Sequence, residues 1–232
     1  MSDATIHIGI LLYPNVTQLD ATGPAQVLSR VPGAKVHMIW KTKDPIPTDA
    51  GFAILPTTTF AECPKLDVIC VPGGAGQAAL MNDEETLGFL RQQAAGARYV
   101  TSVCTGSLVL AAAGLLKGYK AGCHWAWREM LRPFGAEPVA ERVVRDRNRI
   151  TGGGVTAGID FGFVVAAELA GEEAAKMIQL FLEYDPQAPF DCGSPEKAGA
   201  ERVAKAREMM ARLLAERQKT TEAAAAAMAA RH

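Results

Sequence analysis

The sequence lacks any apolar run approaching the roughly 18–20 residues that cross a bilayer, and its amino terminus carries no basic stretch. No membrane span or secretory leader is expected, and the chain reads as cytoplasmic. It also lacks an excess of either charge: 24 Lys and Arg stand against 25 Asp and Glu in 232 residues, a formal net charge of −1. No basic face for nucleic acid or a membrane surface is implied. The five cysteines (Cys63, Cys70, Cys104, Cys123 and Cys192) are odd in number and have no CxxC spacing. That argues against a disulfide framework and a structural zinc site, so no metal is expected. Internal repeats and convincing linkers are absent too. One α/β domain over residues 1–195 is expected, with a helical extension over residues 196–232 that packs on it or on a partner copy.

What is present is an alternation of strand and helix patterns. Residues 6–13 form a near-continuous apolar run, as in a strand covered on both faces. Thr22-Gly23-Pro24 reads as a helix start, with Val27, Leu28 and Val31 turned inward. Further strands are expected over 35–40, 67–71 and 121–124, with a small hairpin excursion over 52–60. Asn82 with Glu85 forms a capping-box pattern for a helix through Leu87, Leu90 and Ala94. A helix is expected around 125–131, and Val143–Arg145 with Arg149–Thr151 reads as an exposed hairpin. Helices over 156–170 and 172–184 follow. In the tail Val203, Ala206, Met210, Leu213 and Leu214 recur at helical spacing, with fraying expected over 223–227. The pattern predicts a mostly parallel sheet with helices on both faces, which binds its ligands at the carboxyl ends of the strands.

Cys104 stands out. The β-branched run Tyr99-Val100-Thr101-Ser102-Val103 gives way at this cysteine to Thr105-Gly106-Ser107 and then to an apolar, alanine-rich helix. A thiol at a sharp strand-to-helix junction lies beside unpaired helix N–H groups, which favour the thiolate. A buried, inert cysteine is the alternative. Thr105 places a hydroxyl and an N–H in the same turn. Asp20, just past the first strand, reads either as a helix cap or loop carboxylate or as an acid/base sharing the proton of Cys104. Beside a thiolate, burial would raise its pKa and keep it protonated.

Gly74-Ala75-Gly76-Gln77-Ala78-Ala79 nominally matches G-x-G-x-x-A, but it follows the wrong strand and has Ala94 where an acidic residue is needed. A tight turn offering backbone N–H groups at Gly74 and Ala75 to a reacting group is the better reading. His124 reads as structural, with a Cys-His pair as the alternative, and Trp125 as a core residue. Gly152-Gly153-Gly154 gives permissive backbone before the next helix.

In combination, Leu19-Asp20-Ala21-Thr22-Gly23-Pro24, Val71-Pro72-Gly73-Gly74, Val103-Cys104-Thr105-Gly106-Ser107 and Thr151-Gly152-Gly153-Gly154 resemble the ThiJ/PfpI superfamily. These blocks extend over residues 5–190. Within it, the stretch from Arg98 to Leu110 and Leu182-Glu183-Tyr184 are most similar to the isocyanide hydratases. The resemblance implies a flavodoxin-like sandwich, a homodimer, no cofactor, a nucleophile at Cys104 and an acid/base at Asp20. The substrate it implies is a small isocyanide. Peptidase and glyoxalase-like members have histidine after the cysteine and a glutamate partner, where this chain has Thr105 and Asp20. A glyoxalase-like hydration of small dicarbonyls and a non-catalytic cysteine redox sensor are the other readings.

Overall fold

The computed structural model describes residues 5–230. The chain begins β1 (Ile6–Leu11), α1 (Gln18–Leu28) and β2 (Ala34–Trp40), then makes a small antiparallel excursion, β3 (Ile46–Pro47) with β4 (Ala53–Ile54). It continues through β5 (Thr58–Thr59), β6 (Val68–Val71), α2 (Gln77–Leu80), α3 (Glu84–Ala94), β7 (Tyr99–Val103) and α4 (Gly106–Ala112). Next come β8 (Lys120–Ala121), a 3-10 helix (Arg128–Phe134), β9 (Glu137–Pro138), β10 (Val143–Asp146) and β11 (Arg149–Gly152). Five helices end the chain: α5 (Ala157–Ala170), α6 (Glu172–Phe181), α7 (Pro195–Ala198), α8 (Ala200–Met209) and α9 (Ala211–Ala229).

Seven strands form one sheet in the order β10-β11-β7-β6-β1-β2-β5. Every neighbouring pair is parallel except β10 with β11. The chain steps one way from β1 to β2 and the other way from β6 to β7. Right-handed crossovers therefore put α1 and α3 on opposite faces. One helical layer is built from α1, α5 and α6, the other from α2, α3, α4 and α9. With both faces covered, Ile8, Ile10, Ile69, Val71, Val100 and Val103 are all buried, as their unbroken apolar runs require. The order reverses between β1 and β6, and the carboxyl ends of β1, β6 and β7 meet at that switch point.

Several local expectations are corrected. Helix α1 begins at Gln18, so Thr22-Gly23-Pro24 lies inside it and Asp20 sits in its first turn. Pro24 packs against Gly158 of α5, where a Cβ would meet Pro24 Cδ at 3.3 Å. The residue capping α3 is Asp83 rather than Asn82, and its carboxylate accepts from Thr86 Oγ1 and pairs with Lys41. Of the expected 121–124 strand only Ala121 pairs, together with Lys120 before it, and the helix that follows is 3-10. In the hairpin, β11 is an internal strand paired with β7 and buried at Ile150, Thr151 and Gly152; β10 forms the edge. The tail is two helices broken at Met210, and its alanine run is helical through Ala229 rather than frayed. Its buried residues are Arg217, Thr221, Ala224, Ala225 and Met228. Alanine lets α9 lie close against α4 and the 3-10 helix, while of the residues at 203–214 Met210 and Leu214 pack partly against the core and Leu213 is exposed.

Candidate active site

Cys104 adopts φ +57°, a left-handed conformation that costs a non-glycine residue about 1–3 kcal/mol. Its N–H holds it there by donating to the carbonyls of Gly152 (3.1 Å), the last residue of β11, and of Gly153 (2.8 Å), which follows it. The turn also needs close backbone approach. A Cβ on Gly106 would lie 1.9 Å from the Val71 carbonyl oxygen, so only glycine fits. Helix α4 is short, ending at Ala112, and the Cys104 side chain is buried at 5 % exposure.

Asp20 is fully buried beside it. Gly73 N–H donates to Asp20 Oδ2 at 2.9 Å, while Oδ1 has no hydrogen-bond partner in the described geometry. The Cys104 thiol interacts with the same carboxyl, each side chain shifting the other's proton affinity. Burial raises Asp20 to about 7, against the lowering effect of the Gly73 N–H and the thiol. Burial and the Asp20 charge also push Cys104 upward, and the Thr105 N–H opposes them. The thiolate expected from the helix terminus alone is therefore conditional. Two buried acids this close titrate as a pair, and once the first proton has left, sulfur is anionic only while Asp20 keeps the other.

The Pro72-Gly73-Gly74 turn after β6 organises the pair. Tyr13 Oη donates to the Pro72 carbonyl at 2.8 Å, and Gly74 N–H donates to Thr105 Oγ1 at 3.1 Å. A Cβ on Gly73 would meet Thr105 N at 2.6 Å and Asp20 Oδ2 at 2.8 Å. The Gly74 N–H is thus engaged with Thr105 rather than open to a reacting group, and Ala75 is exposed at the tip of the turn. Behind the elbow, Ser107 Oγ donates to the Gly122 carbonyl, and Gly122 N–H donates to Thr151 Oγ1. These links tie β11 to the segment that carries Cys123 and His124.

His124 makes no described hydrogen bond to Cys104. Burial, with help from Arg217, lowers it to about 4, so its ring is neutral. Its Nδ1 accepts from Ala126 N–H at 3.3 Å. Trp125 is half-buried; Trp127 is the core tryptophan. Next to the elbow, a cavity of about 380 Å³ is lined by Cys123, His124, Gly153, Gly154 and Ser194, among others. Among the described residues no group of three or more His, Cys, Asp or Glu could hold a metal ion. Nor is any described helix long and apolar enough to cross a membrane.

Sequence reasoning missed three residues of this site. Tyr13 reads simply as the end of a strand, and Gly73 as one more turn glycine. Arg217 lies in a polar, alanine-rich tail where arginine normally faces water. The sequence carries no signal for its burial.

Comparison with known proteins agrees with this fold. A model of the DJ-1/PfpI family matches residues 7–168. An isonitrile hydratase from Pseudomonas putida is 56% identical over 95% of this chain and 97% of its own length. The crystal structure of a ThiJ/PfpI family protein from Pseudomonas syringae superposes with a TM-score of 0.88 at 49% identity. It covers 96% of this chain and 91% of that one. Drosophila melanogaster DJ-1beta superposes at 0.73 with 26% identity, covering 78% of this chain and all of its own.

Proposed function

The chain belongs to the DJ-1/PfpI family, and we propose that it is an isocyanide hydratase, a lyase that adds water to R–N≡C and releases the formamide R–NH–CHO. Isonitrile is a synonym of isocyanide, and the near full-length match to the Pseudomonas putida enzyme is the observation that carries the reading. The site suits the chemistry. The terminal carbon of an isocyanide must gain a proton as it is attacked, and the site pairs a thiol with a buried carboxyl at about 7.

In this mechanism the Cys104 thiolate forms a bond to the terminal carbon, and Asp20 transfers its proton to that carbon. The product is the thioimidate R–N=CH–S–Cys104 with Asp20 as carboxylate. Asp20 then draws a proton from water whose oxygen bonds to the same carbon, and relays a proton to nitrogen. Collapse returns the hydroxyl proton to Asp20, forms C=O and breaks the C–S bond, regenerating thiolate and carboxylic acid. Thr105, its hydroxyl oxygen held by the Gly74 N–H, directs its own O–H toward the attacking water. Gly74 thereby supports the substrate through Thr105, and Ala75 lines the approach. No cofactor takes part. The enzyme works in the cytoplasm as a homodimer, with residues 196–232 as an extension of the 1–195 domain.

The glyoxalase-like alternative is less well supported, since the residue after the nucleophile is Thr105 rather than histidine. The test is conversion of an alkyl isocyanide to its formamide. Cys104→Ala is expected to abolish turnover, and Asp20→Asn to lower kcat by about 10²–10⁴-fold, the range for loss of an acid/base. A mass increase of one substrate on wild-type Cys104 during turnover accompanies the covalent route. Full activity in Cys104→Ala would refute it.

A further inference from the structure

Helix α9 carries a positive charge into the interior. Only 4 % of Arg217 is exposed, and its guanidinium lies over the Trp127 ring, 4.7 Å from the centroid. Nη2 reaches the Gly74 carbonyl at 3.5 Å, and Gln77 N–H, at the start of α2, donates to that same oxygen at 3.3 Å. Helices α2 and α9 are in contact here. Among the described residues no carboxylate pairs with Arg217. Burial lowers its proton affinity, and the groups that oppose this are two thiols and a phenol, Cys104, Cys123 and Tyr13. Four buried polar atoms of the cluster have no hydrogen-bond partner: Arg217 Nε, Trp127 Nε1 and both ends of the Gln77 amide. Three of these four are N–H donors, and Gln77 is fully buried. Buried polar groups are ordinarily hydrogen-bonded, and buried charges ordinarily stand against an opposite charge.

We propose that Arg217, Gln77 and Trp127 form an internal binding site for one small planar oxyanion, a carboxylate of formate or acetate size. An ionised carboxylate only accepts hydrogen bonds, and its two oxygens match the edge of a guanidinium with two parallel bonds. Arg217 Nε belongs to such an edge, and Trp127 Nε1 and Gln77 Nε2 supply further donors to the same oxygens. Water could accept from the same donors but would leave the guanidinium charge uncompensated, so an anion is the better occupant. Burial of all three side chains restricts the ligand to a few atoms and rules out a macromolecular partner. Arg217 and Gln77 meet on one carbonyl, so an anion held by them fastens α9 to the turn that follows β6. This role is separate from whatever reaction Cys104 performs.

The test is a titration of the full-length protein with sodium formate, followed by melting temperature and tryptophan emission. Wild type is expected to show a saturable rise in melting temperature, with a change in Trp127 emission over the same concentrations. Arg217→Met should lose the saturable part and keep only the gradual response to salt. Gln77→Leu should weaken the apparent affinity about tenfold, the effect of removing one buried hydrogen bond to a charged group. A wild type that does not saturate overturns the proposal, and so does equal saturation in Arg217→Met. If Arg217→Met does not fold, Gln77→Leu decides in its place, and an unchanged affinity there overturns the site. Alkylation of wild-type Cys104 by iodoacetamide across pH, with Cys104→Ala subtracted, locates the anion. Alkylation that proceeds in saturating formate keeps the anion away from the sulfur, whereas full protection would place it at the elbow and overturn the assignment. None of these readouts needs an isocyanide, so an enzyme inert toward isocyanides that still binds formate through Arg217 would reject the proposed activity and leave this site standing.

Discussion

At the residue scale, the chemistry depends on where one proton resides. Asp20 titrates near 7 in the folded protein, above its ordinary value of 3.8, because burial disfavours its charge. In the proposed mechanism the active form carries one negative charge on the pair, so kcat/KM should rise with pH through about 7. In Asp20→Asn that rise moves upward, since only the buried thiol is left to ionise. An acid limb that stays in place in the variant would detach Asp20 from the titration. The raised pKa also affects stability. A folded pKa above the unfolded one means that the native state binds the extra proton, so the native advantage is complete below 3.8 and is lost as pH rises through about 7. Asparagine removes this dependence and can still accept from Gly73. The melting temperature of Asp20→Asn relative to wild type should therefore increase from pH 4 to pH 8; a difference that stays flat would contradict it. Cys104 is legible in the sequence because a β-branched strand gives way at one residue to small ones. Asp20 is legible as a candidate only, since a helix cap looks the same. That Asp20 and Cys104 meet depends on β1 and β7 flanking β6, which is a property of the sheet order.

At the element scale, the elbow between β7 and α4 is a strained junction fastened by its neighbours. Cys104 has positive φ, so glycine fits its backbone better than alanine does. Replacing a buried residue by glycine ordinarily destabilises more than replacing it by alanine. At this position the order should invert, with Cys104→Gly about 1 kcal/mol more stable than Cys104→Ala in urea unfolding. The opposite order would mean that the turn relaxes without its side chain. Gly73→Ala probes the facing turn. Its Cβ would press on Thr105 N and Asp20 Oδ2, so kcat/KM should collapse while the far-UV spectrum is retained. Strand and helix types are readable from periodicity, and the strands that carry the site lie within a residue or two of expectation. The start of α1 is not, because Pro24 usually marks a first turn and here sits mid-helix against Gly158. The alanine run of α9 is hard to read for a related reason. Without large apolar side chains it shows no stripe, yet small residues are what allow a helix to lie close against the 3-10 helix and α4.

At the scale of the whole molecule, two helical layers leave different surfaces. The α4 side is covered by α9, which buries Ala224 and Met228. The side formed by α1, α5 and α6 is not covered. Along α6, Met177, Leu180 and Phe181 are 50%, 73% and 72% exposed, and they share one face at helical spacing. The chain then leads directly to Leu182 and Tyr184, which line an apolar groove with Leu19 and Ile159. Large apolar residues clustered and rimmed by charge mark an association surface on a soluble protein. Periodicity in the sequence does not reveal this face, because a stripe that meets a partner looks the same as one that meets the core. If the enzyme is a homodimer, this is the surface on which a second copy would seat, since a twofold contact needs one self-complementary patch. Sedimentation velocity should then give wild type a mass twice the chain's 24.6 kDa. The double substitution Leu180→Asp and Phe181→Asp should give a monomer with an unchanged far-UV spectrum. A dimer that survives both changes would place the contact elsewhere, and a monomeric wild type would remove it. The site itself is assembled from one chain's β1, β6, β7 and β11 ends, so the monomeric variant should still alkylate at Cys104 with the wild-type pH profile. Loss of that profile on dissociation would instead make the second copy part of the site.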